Sequence, residues 1–386
     1  GSLGDLGTLL PIAVAMILVN GLDPVGIFVS VGLYYILSGA YYGVTVPVQP
    51  MKVIGAYAIA AGLSTSEIAS SALLMGVILL LVGATGAIRL VSKYTPNSVI
   101  RGVQLSTGIL LVAEGIRFML GSSRFQELQE AAEPFLRIQN LGPVPLGLLI
   151  GGLAFFLTLL LLENKRFPAG LLVVMLGFAL GALLGTYQGL GQLSPGLHLP
   201  QILPFGLPGG ADLSFAFLAL VLPQLPMTLG NAVLAYTDLS QEYFPEKAQK
   251  VTNKSACISM GLANLGSFCL GGMPLCHGAG GLAAHYRFGA RTAGSNLMIG
   301  GIFLLAALVL GQHILPILNL LPMAVLGVLL VFAGAQLGLT ILDLKERKEM
   351  FTALLILGIT LAFNLAGGFL VGIAVAYILR WEKLSI

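Results

Sequence analysis

Long apolar stretches, separated by short polar or glycine-rich turns, run through most of the sequence and predict membrane-spanning helices. An α-helix needs about 20 apolar residues to cross a bilayer. Stretches such as 73–81 and 302–310 are apolar at nearly every position, whereas the strands of a membrane β-barrel alternate apolar and polar residues. The pattern therefore predicts an all-α polytopic membrane protein.

The hydropathy pattern divides the chain into fourteen segments, seven in each half. The first seven are Leu6–Val19, Val25–Ala40, Val44–Leu63, Ile68–Leu90, Ser98–Leu120, Leu146–Leu162 and Gly170–Leu184. After a Gly/Pro-rich link, the second seven are Leu213–Leu234, Lys250–Leu270, Met273–Tyr286, Ser295–His313, Leu315–Leu337, Met350–Asn364 and Gly367–Arg380. We expect 1–184 and 211–386 to be two repeats, and the odd number of segments inverts the second relative to the first.

The distribution of basic residues favours this count, because cytoplasmic loops of membrane proteins carry an excess of Lys and Arg. With both termini cytoplasmic, the outer side receives only Arg117, Arg124 and Arg137. The cytoplasmic side receives Arg89, Lys93, Arg101, Lys165, Arg166, Lys247, Lys250, Lys254, Arg287, Arg291, Lys345, Arg347, Lys348, Arg380 and Lys383. A single miscounted segment would scatter this bias.

Composition agrees with the membrane prediction and excludes several functions. Only 9% of the 386 residues are charged, against roughly 25% in a soluble domain. The net charge of +3 comes without a basic tract, so we expect no nucleic-acid partner. The 3 cysteines are too scattered for a disulfide framework or a metal site. Without paired carboxylates or a nucleophile–base set, we expect no enzymatic activity and no cofactor.

Two distant segments, Val44–Lys52 and Gly271–Gly281, interrupt the apolar background with prolines, glycines and polar residues. Irregular backbone at membrane depth is tolerated only where it is buried in protein or lines a cavity. A matched pair of interrupted segments in two halves of a membrane protein is typical of a transporter's substrate site. The pair therefore predicts that the chain carries a solute across a membrane.

The first interruption predicts an extended piece followed by a half-helix. Pro47 and Pro50 cannot both lie inside a regular helix, whereas Pro50 suits the first helical position. We expect the chain to be extended up to Gln49 and helical from there through Lys52. The N–H groups and dipole of such a helix favour an anion, and Lys52 adds positive charge.

The second interruption has the same organisation, with an extended or turning piece at Gly271–Pro274 and a helix that begins near His277–Gly281. Its glycines allow a ligand to approach the backbone N–H groups closely. Two opposed half-helix N-termini of this kind would form a cradle for a compact oxyanion.

Two other helices carry unusual polar residues. Asp5 and Thr8 open the first segment, while Gln224, Thr228 and Asn231 share one face of the eighth. Because these segments occupy equivalent places in the two halves, we expect them to flank the same site. In the alternative interpretation, the polar residues of the eighth segment only hydrogen-bond to neighbouring helices.

Lys52 has several interpretations, since it could contact the ligand directly, form a structural ion pair with Asp5 or Glu67, or snorkel to a membrane interface. Glu114 and Arg117, three residues apart, are expected to pair with each other. The polar insert Arg124–Arg137 is expected to form a short amphipathic helix whose charges face water.

Four histidines complete the candidate chemistry. His277 follows Cys276, but two adjacent residues cannot supply a tetrahedral metal shell, so a capping or proton-linked role is favoured for His277. The other three lie near predicted segment ends and are expected at the surface: His198, His285 and His313.

The motifs resemble the molybdate transporter family, a branch of the sulfate permease superfamily. The matching stretches are Gly4–Thr8, Pro47–Lys52, Pro223–Thr228 with Asn231, Met273–Gly281 and Tyr286–Arg291. The resemblance covers essentially the whole chain. The candidate substrate-binding residues are Asp5, Thr8, Gln49, Pro50, Met51, Lys52, Gln224, Thr228, Asn231, Cys276, His277, Gly278 and Ala279.

The resemblance implies seven plus seven inverted segments, with segments 1–4 and 8–11 in a core domain and 5–7 and 12–14 in a gate domain. Substrate would lie between segments 1, 3, 8 and 10, and the core would move against the gate as an elevator within a homodimer. No soluble regulatory domain is expected after the last helix. Many relatives carry a carboxylate on the eighth segment, where this chain has Gln224 and Thr228.

The expected function is secondary active transport of molybdate, bound as an oxyanion without a protein-bound metal. A sulfate transporter is the main alternative, because the two ions are similar in shape and charge. A nucleobase permease is disfavoured, since that branch places carboxylates on the eighth and tenth segments. An anion channel with the same fold is a further alternative. Transport could also be coupled to a proton or another ion.

Overall fold

The computed structural model of the chain describes residues 1–88, 94–164 and 166–381. The predicted end of the fourth segment at Leu90 and the basic residues Arg89, Lys93, Lys165 and Lys383 lie outside these ranges. The described chain is mostly helical.

The helices of the first half are α1 (Leu6–Asn20), α2 (Pro24–Tyr42), α3 (Lys52–Ala61), α4 (Thr65–Thr85), α5 (Asn97–Leu120), α6 (Arg124–Leu128), α7 (Leu146–Leu161) and α8 (Ala169–Leu184). Those of the second half are α9 (Gly210–Tyr243, partly π-helical), α10 (Asn253–Leu270), α11 (Ala279–Arg287), α12 (Ala293–Leu310), α13 (Ile314–Leu318), α14 (Met323–Gly338), α15 (Arg347–Ala362) and α16 (Leu365–Ile378). Four two-residue strands are β1 (Gln49–Pro50), β2 (Asn140–Leu141), β3 (Val144–Pro145) and β4 (Leu275–Cys276).

Every predicted segment contains a helix within the described residues, although the number of membrane crossings stays a prediction. By length and composition, seven described helical stretches can cross a membrane: Ser2–Asn20, Pro24–Tyr42, Thr65–Thr85, Asn97–Leu128, Gly210–Tyr243, Ala293–Leu318 and Met323–Asp343. Shorter apolar helices are Lys52–Ala61, Leu146–Leu161, Ala169–Leu184 and Leu365–Ile378.

Local sequence signals explain where several helices begin. Asp23 precedes Pro24 and accepts hydrogen bonds from the N–H groups of Val25 and Gly26 at 3.3 and 3.0 Å, which caps α2. The predicted twelfth segment, Leu315–Leu337, is instead divided into α13 and α14. The reason is Pro322, which has no N–H group and lies at the N-cap of α14 rather than inside one continuous helix.

Close helix pairs organise the interior. α2 packs along α12, α4 along α10, and α5 along α14. In the last pair, a Cβ atom at Gly115 would lie 2.5 Å from the carbonyl oxygen of Gly327, and one at Gly108 would lie 2.5 Å from that of Gly334. Only glycine allows the two backbones to approach this closely, as is typical of small residues at membrane helix interfaces.

The polar insert differs from its prediction. Its helix covers only Arg124–Leu128 rather than extending to Arg137, and not all of its charges face water. Glu133 is 1% exposed, and its two carboxylate oxygens accept hydrogen bonds from the N–H groups of Met323 and Ala324, both at 2.8 Å. Burial raises the pKa of Glu133 to about 7, against the lowering effect of those two N–H groups. Glu133 therefore caps α14 from outside that helix.

Two further side-chain predictions have opposite outcomes. The pair Arg117–Glu114 is confirmed, with 3.1 Å between the guanidinium and the carboxylate. The surface position predicted for His285 is wrong, because the side chain is fully buried and lies 2.8 Å from the hydroxyl of Thr45. The helix α11 turns His285 towards the inside of the protein, which proximity to a segment end does not reveal.

Candidate functional site: two half-helices joined by a short ladder

The two interrupted segments meet as an antiparallel pair of strands. Gln49 of β1 lies opposite Cys276 of β4, and Pro50 lies opposite Leu275. The N–H group of Met51 donates to the carbonyl of Pro274 at 2.9 Å and extends the ladder. Because the strands are antiparallel and each leads directly into a half-helix, α3 and α11 leave the ladder in opposite directions.

Two asparagines that the sequence reasoning missed hold this irregular backbone. Asn264 on α10 donates to the carbonyl of Leu275 at 2.8 Å and accepts from its N–H group at 3.0 Å. Asn296 on α12 bonds both backbone groups of Val46 in the same way, at 2.8 and 2.9 Å. Buried backbone groups without such partners would cost about 1–3 kcal/mol each. The sequence feature that could have identified both residues is an asparagine within an otherwise apolar helix.

The start of α3 differs from the prediction by two residues. Pro50 was expected at the first helical position, but it lies in β1, and the helix begins at Lys52 with Met51 as its N-cap. Pairing with β4 keeps the chain extended through Pro50, which local sequence preferences cannot foresee.

The N-terminus of α3 is not free for an anion. Gln224 on α9 directs its side-chain oxygen at the N–H groups of Val53 and Ile54, at 2.9 and 3.3 Å. Its amide nitrogen donates to the hydroxyl of Thr228 at 2.9 Å. The prediction that these N–H groups await a ligand is therefore wrong, because a side chain already satisfies them in this structure.

The N-terminus of α11 has a different environment. Within the described part of the chain, the N–H groups of Ala279, Gly280 and Gly281 have no hydrogen-bond acceptor. The nine-residue helix therefore keeps its first-turn donors available. These donors and the positive end of the helix dipole favour a negative charge.

Gln49 and Asp5 pack directly against this N-terminus. The amide nitrogen of Gln49 donates to the carboxylate of Asp5. A Cβ atom at Gly278 would lie 2.0 Å from the side-chain oxygen of Gln49, and one at Gly281 would lie 2.7 Å from Asp5 Oδ2. Among the described residues, Gln49 Oε1 and Asp5 Oδ2 are buried without a hydrogen-bond partner. The site therefore contains unused polar atoms at its centre.

Two cavities meet at Gln49 and Lys52. The larger, about 240 Å³, is also lined by Asp5, Thr8 and Gly280. The smaller, about 10 Å³, is lined by Gln49, Lys52, Gln224, Met227, Thr228, Asn231, Ala232 and Cys276. Since one water needs about 10–15 Å³, only the larger cavity has room for an anion with several oxygens.

Lys52 forms no ion pair within the described residues, so the alternative pairing with Asp5 or Glu67 is not seen. Glu67 instead accepts a hydrogen bond from the backbone N–H of Ser64 at 2.8 Å as part of a capping box. The ammonium group of Lys52 thus remains available at the junction of the two cavities.

Other predicted residues contribute backbone or support rather than a cavity-lining side chain. Pro50 and Met51 are buried in the ladder, and Gly278 and Ala279 form the start of α11. His277 is fully buried and stacks between Tyr34 and Tyr236. Its Nδ1 atom lies 3.0 Å from the carbonyl oxygen of Pro47, and its Nε2 atom lies 2.7 Å from the hydroxyl of Tyr34.

The larger cavity also has walls that the sequence reasoning did not select. Thr158 on α7 and Gln336 on α14 line it opposite α1 and α11. Arg287 lines it too, while its guanidinium donates to the carbonyls of Glu163 and Asn164 at 2.8 and 3.3 Å. Residues of α1, α7, α8, α11 and α14 therefore all line this cavity.

Comparison with known proteins gives one family. A family model described as "Molybdate transporter of MFS superfamily" matches residues 1–111 and 216–337. The chain is 31% identical to Molybdate transporter 1 of Arabidopsis thaliana, over 99% of this chain and 88% of that protein. It is 31% identical to Molybdate transporter 2 of the same plant, over 100% and 87%. Identity to Molybdate transporter 1 of Chlamydomonas reinhardtii is 30%, over 99% and 91%.

Solved structures share the fold at low sequence identity. The transmembrane domain of a cyanobacterium bicarbonate transporter, BicA, superposes with a TM-score of 0.67 at 17% identity, over 97% of this chain and 95% of that one. SLC26A9 superposes with a TM-score of 0.67 at 16% identity, over 98% of this chain and 64% of that one. These likenesses concern the fold alone.

Proposed function

Because the chain belongs to the molybdate transporter family, we propose that it is a secondary active transporter of molybdate, a tetrahedral dianion. It is an integral, multi-pass membrane protein with the fold of anion transporters. One observation carries the proposal: the N-terminus of α11 reaches the larger cavity at Gly280, and Lys52, which forms no ion pair with any described residue, lines the same cavity. Backbone donors and one ammonium group suit a compact oxyanion.

We further propose that the chain crosses the membrane fourteen times, as two inverted repeats at 1–184 and 211–386. The packing of the helices supports this. The helices α2 and α12 belong to segments 2 and 11, whose counterparts in the other half are segments 9 and 4, the helices α10 and α4. Both pairs, α2 with α12 and α10 with α4, pack closely. Exchanging counterparts also maps the β1–β4 ladder and the α5–α14 pair onto themselves. An internal two-fold relation would produce these matches.

Both termini are proposed to be cytoplasmic. The bond from Arg287, at the end of α11, to the carbonyl of Glu163 supports the topology, because the fourteen-segment count places both residues on the same side of the membrane. Gly1 lies against Ala290 at the same end of the molecule. The basic residues on that side then follow the positive-inside distribution.

Transport is proposed to follow motion of a core domain, segments 1–4 and 8–11, against a gate domain, segments 5–7 and 12–14. The lining of the larger cavity supports this, since it combines core elements α1 and α11 with gate elements α7, α8 and α14. Sliding of the core elements past the gate elements would move a bound ion relative to the gate, as in an elevator. The resemblance also favours a homodimer.

The proposed substrate-binding groups fall into two sets. Thr8, Gln49, Lys52 and Gly280 line the larger cavity, and the N–H groups of Ala279 and Gly281 belong to the same first turn of α11 as Gly280. Around the smaller cavity, Gln224, Thr228, Asn231 and Cys276 would complete the shell only if that space widens around the ion. Pro50, Met51, His277 and Gly278 would act by positioning the two half-helices.

Asp5 suggests how transport is coupled to a proton. An ionised carboxylate beside the start of α11 competes with a bound anion for the same donors and repels it. We therefore propose that Asp5 is neutral when the anion binds, so that one proton enters with each substrate ion. The buried Asp5 Oδ2 atom, which has no hydrogen-bond partner among the described residues, supports this proposal because it could carry that proton.

The decisive experiment measures molybdate uptake by proteoliposomes, with sulfate and uracil as competitors and protein-free liposomes as the blank. We expect saturable uptake that excess sulfate suppresses less than unlabelled molybdate does. Lys52→Ala should weaken apparent affinity roughly tenfold to a hundredfold, because a hydrogen bond to a charged group contributes about 1.5–3 kcal/mol. Lys52→Arg, which keeps the charge, is the matched control.

If sulfate suppresses molybdate uptake as strongly as unlabelled molybdate does, or more strongly, the chain is a sulfate transporter instead. Suppression by uracil would favour a nucleobase permease. An unsaturable, voltage-driven current in planar bilayers would replace the transporter proposal with a channel.

A further inference from the structure

A groove separate from the anion site runs along the outer face of the protein between α2 and α10. Its volume is about 660 Å³. Leu33, Leu37 and Leu262 line it and are 38, 63 and 59% exposed. In a membrane protein, such exposed apolar side chains on spanning helices meet lipid chains rather than water.

The groove is about as long as an acyl chain, and its wall is apolar over most of that length. α2 and α10 are antiparallel, and the lining residues extend from Ser30 and Leu270 at one end to Tyr41 and Lys250 at the other. Eleven residues along a helix correspond to about 17 Å, comparable to an extended acyl chain. Ser38 and Ser267 turn their hydroxyls to backbone carbonyls, at 2.5 and 2.6 Å, so these serines leave the wall mainly apolar.

Charge is confined to one end of the groove. Lys250 and Lys254 are exposed there, and within the described residues neither forms an ion pair. The ammonium group of Lys250 lies 5.5 Å from the ring centroid of Tyr41. No acidic side chain is among the described residues that line the groove. An apolar slot that ends in two unpaired lysines complements a molecule with a long apolar chain and an anionic head.

We propose that this groove binds an anionic glycerophospholipid, with an acyl chain between α2 and α10 and the headgroup phosphate at Lys250 and Lys254. The positive-inside distribution places the lysine end at the cytoplasmic leaflet, where anionic lipids attract basic residues. Aromatic Tyr41, at the same end, has the amphipathic character of residues at the membrane interface.

The groove also contacts the support of the anion site. Tyr34 and Ser259 line it, and both hydrogen-bond the Nε2 atom of His277, at 2.7 and 3.1 Å. His277 directly precedes Gly278, the N-cap of α11. A lipid in the groove therefore packs against the residues that hold the half-helix in place.

The test is a lipid-binding measurement on the full-length protein in detergent, by native mass spectrometry with graded phosphatidylglycerol or phosphatidylcholine of the same acyl chains. We expect tighter binding of phosphatidylglycerol. The double variant Lys250→Gln/Lys254→Gln should weaken that binding by roughly 30-fold and weaken phosphatidylcholine binding less, because the choline cation already offsets its phosphate charge. Lys247→Gln, a nearby basic residue that does not line the groove, is the matched control.

A second variant tests the apolar part independently of charge. A Cβ atom at Gly266, which lines the groove, meets no atom within 4 Å, so Gly266→Leu adds an apolar side chain there whose Cβ atom has free space. It should reduce binding of both lipids several-fold. Gly301→Leu, also without a neighbour within 4 Å, lies outside the groove and should change neither.

Equal binding of the two lipids by the unaltered protein would overturn the proposal. So would unchanged phosphatidylglycerol binding in the double lysine variant, or displacement of the lipid by inorganic phosphate alone, which would indicate a simple anion site. Because the assay contains no molybdate and no transport step, its result does not depend on the proposed function.

Discussion

The side-chain oxygen of Gln224 lies 2.9 Å from the backbone nitrogen of Val53, although the two residues are 171 positions apart. The bond joins the eighth segment to the first turn of the half-helix α3. A second bond, to the N–H group of Ile54 at 3.3 Å, completes the cap. A residue selected as an anion ligand thus accepts hydrogen bonds from the first turn of α3 in this structure, whereas the first-turn N–H groups of α11 have no acceptor among the described residues.

Replacing Gln224 by Ala should weaken the half-helix as well as the site. The change leaves two buried N–H groups without an acceptor, at a cost of about 1–3 kcal/mol. We expect a lower apparent melting temperature in detergent and weaker molybdate binding. Gln224→Glu keeps an acceptor but adds a negative charge, so it should restore much of the stability and not the binding. If the Ala variant melts like the unaltered protein, Gln224 does not cap α3.

Glycines at the start of α11 should differ sharply in their tolerance of alanine. A methyl group at Gly278 or Gly281 would collide with Gln49 or Asp5, at 2.0 and 2.7 Å. Such overpacking typically costs about 1–3 kcal/mol, and here it would also displace the residues of the site. We expect both variants to lose uptake. Gly280→Ala, whose methyl group meets nothing within 4 Å, is the matched control and should keep the fold.

The alanine variants of Gly278, Gly280 and Gly281 are compared by their size-exclusion profiles and by their initial rates of molybdate uptake. If Gly278→Ala and Gly280→Ala transport equally well, the contact between Gln49 and α11 is not required.

Asp5→Asn tests the coupling proposal. Asparagine keeps the acceptor for Gln49 but cannot ionise. The proposal requires a neutral Asp5, so uptake by the unaltered protein should fall as pH rises from 6 to 8 with no proton gradient applied, while the variant should be nearly pH-independent. Lys52 on α3, Tyr35 on α2 and Cys276 on β4 are the other ionisable groups that interact with Asp5.

A pH dependence that persists in Asp5→Asn would assign the proton to another group. Asp5→Glu, which restores a titratable carboxyl at the same position, serves as the control and should restore the pH dependence in part.

Glu133 predicts a pH dependence of stability that is separate from transport. Because burial raises its pKa from 4.5 to about 7, the folded state binds a proton more tightly than the unfolded state between these values. Stability should therefore fall as pH rises from about 4.5 to 7 and then level off, by a total of about 3 kcal/mol. Glu133→Gln should flatten this part of the profile.

The measurement is the apparent melting temperature in detergent at pH 5, 6, 7 and 8. Glu130→Gln, in the same insert, is a control that should leave the profile unchanged, since Glu130 is exposed and does not contact α14. Identical profiles for Glu133→Gln and the unaltered protein would contradict the prediction.

The sequence alone determined which parts of the chain depart from regular helix. Prolines lack an N–H group and exclude a continuous helix, so Val44–Lys52 and Gly271–Gly281 had to be irregular, and the motifs in both halves identified the family. Asp5, Gln49 and Lys52, which the sequence selected for one site, line one cavity in the structure.

Only the tertiary structure determined which polar groups form hydrogen bonds with each other. Gln224 caps α3, Asn264 and Asn296 hold the ladder, and Glu133 caps α14 across 190 residues of chain. Local patterns cannot reveal these bonds, because each buried donor is satisfied by whichever acceptor the packing of distant helices brings within about 3 Å. The sequence likewise predicted two half-helix N-termini. Only the fold shows that Gln224 accepts hydrogen bonds from the start of α3, while the first-turn N–H groups of α11 have no acceptor among the described residues.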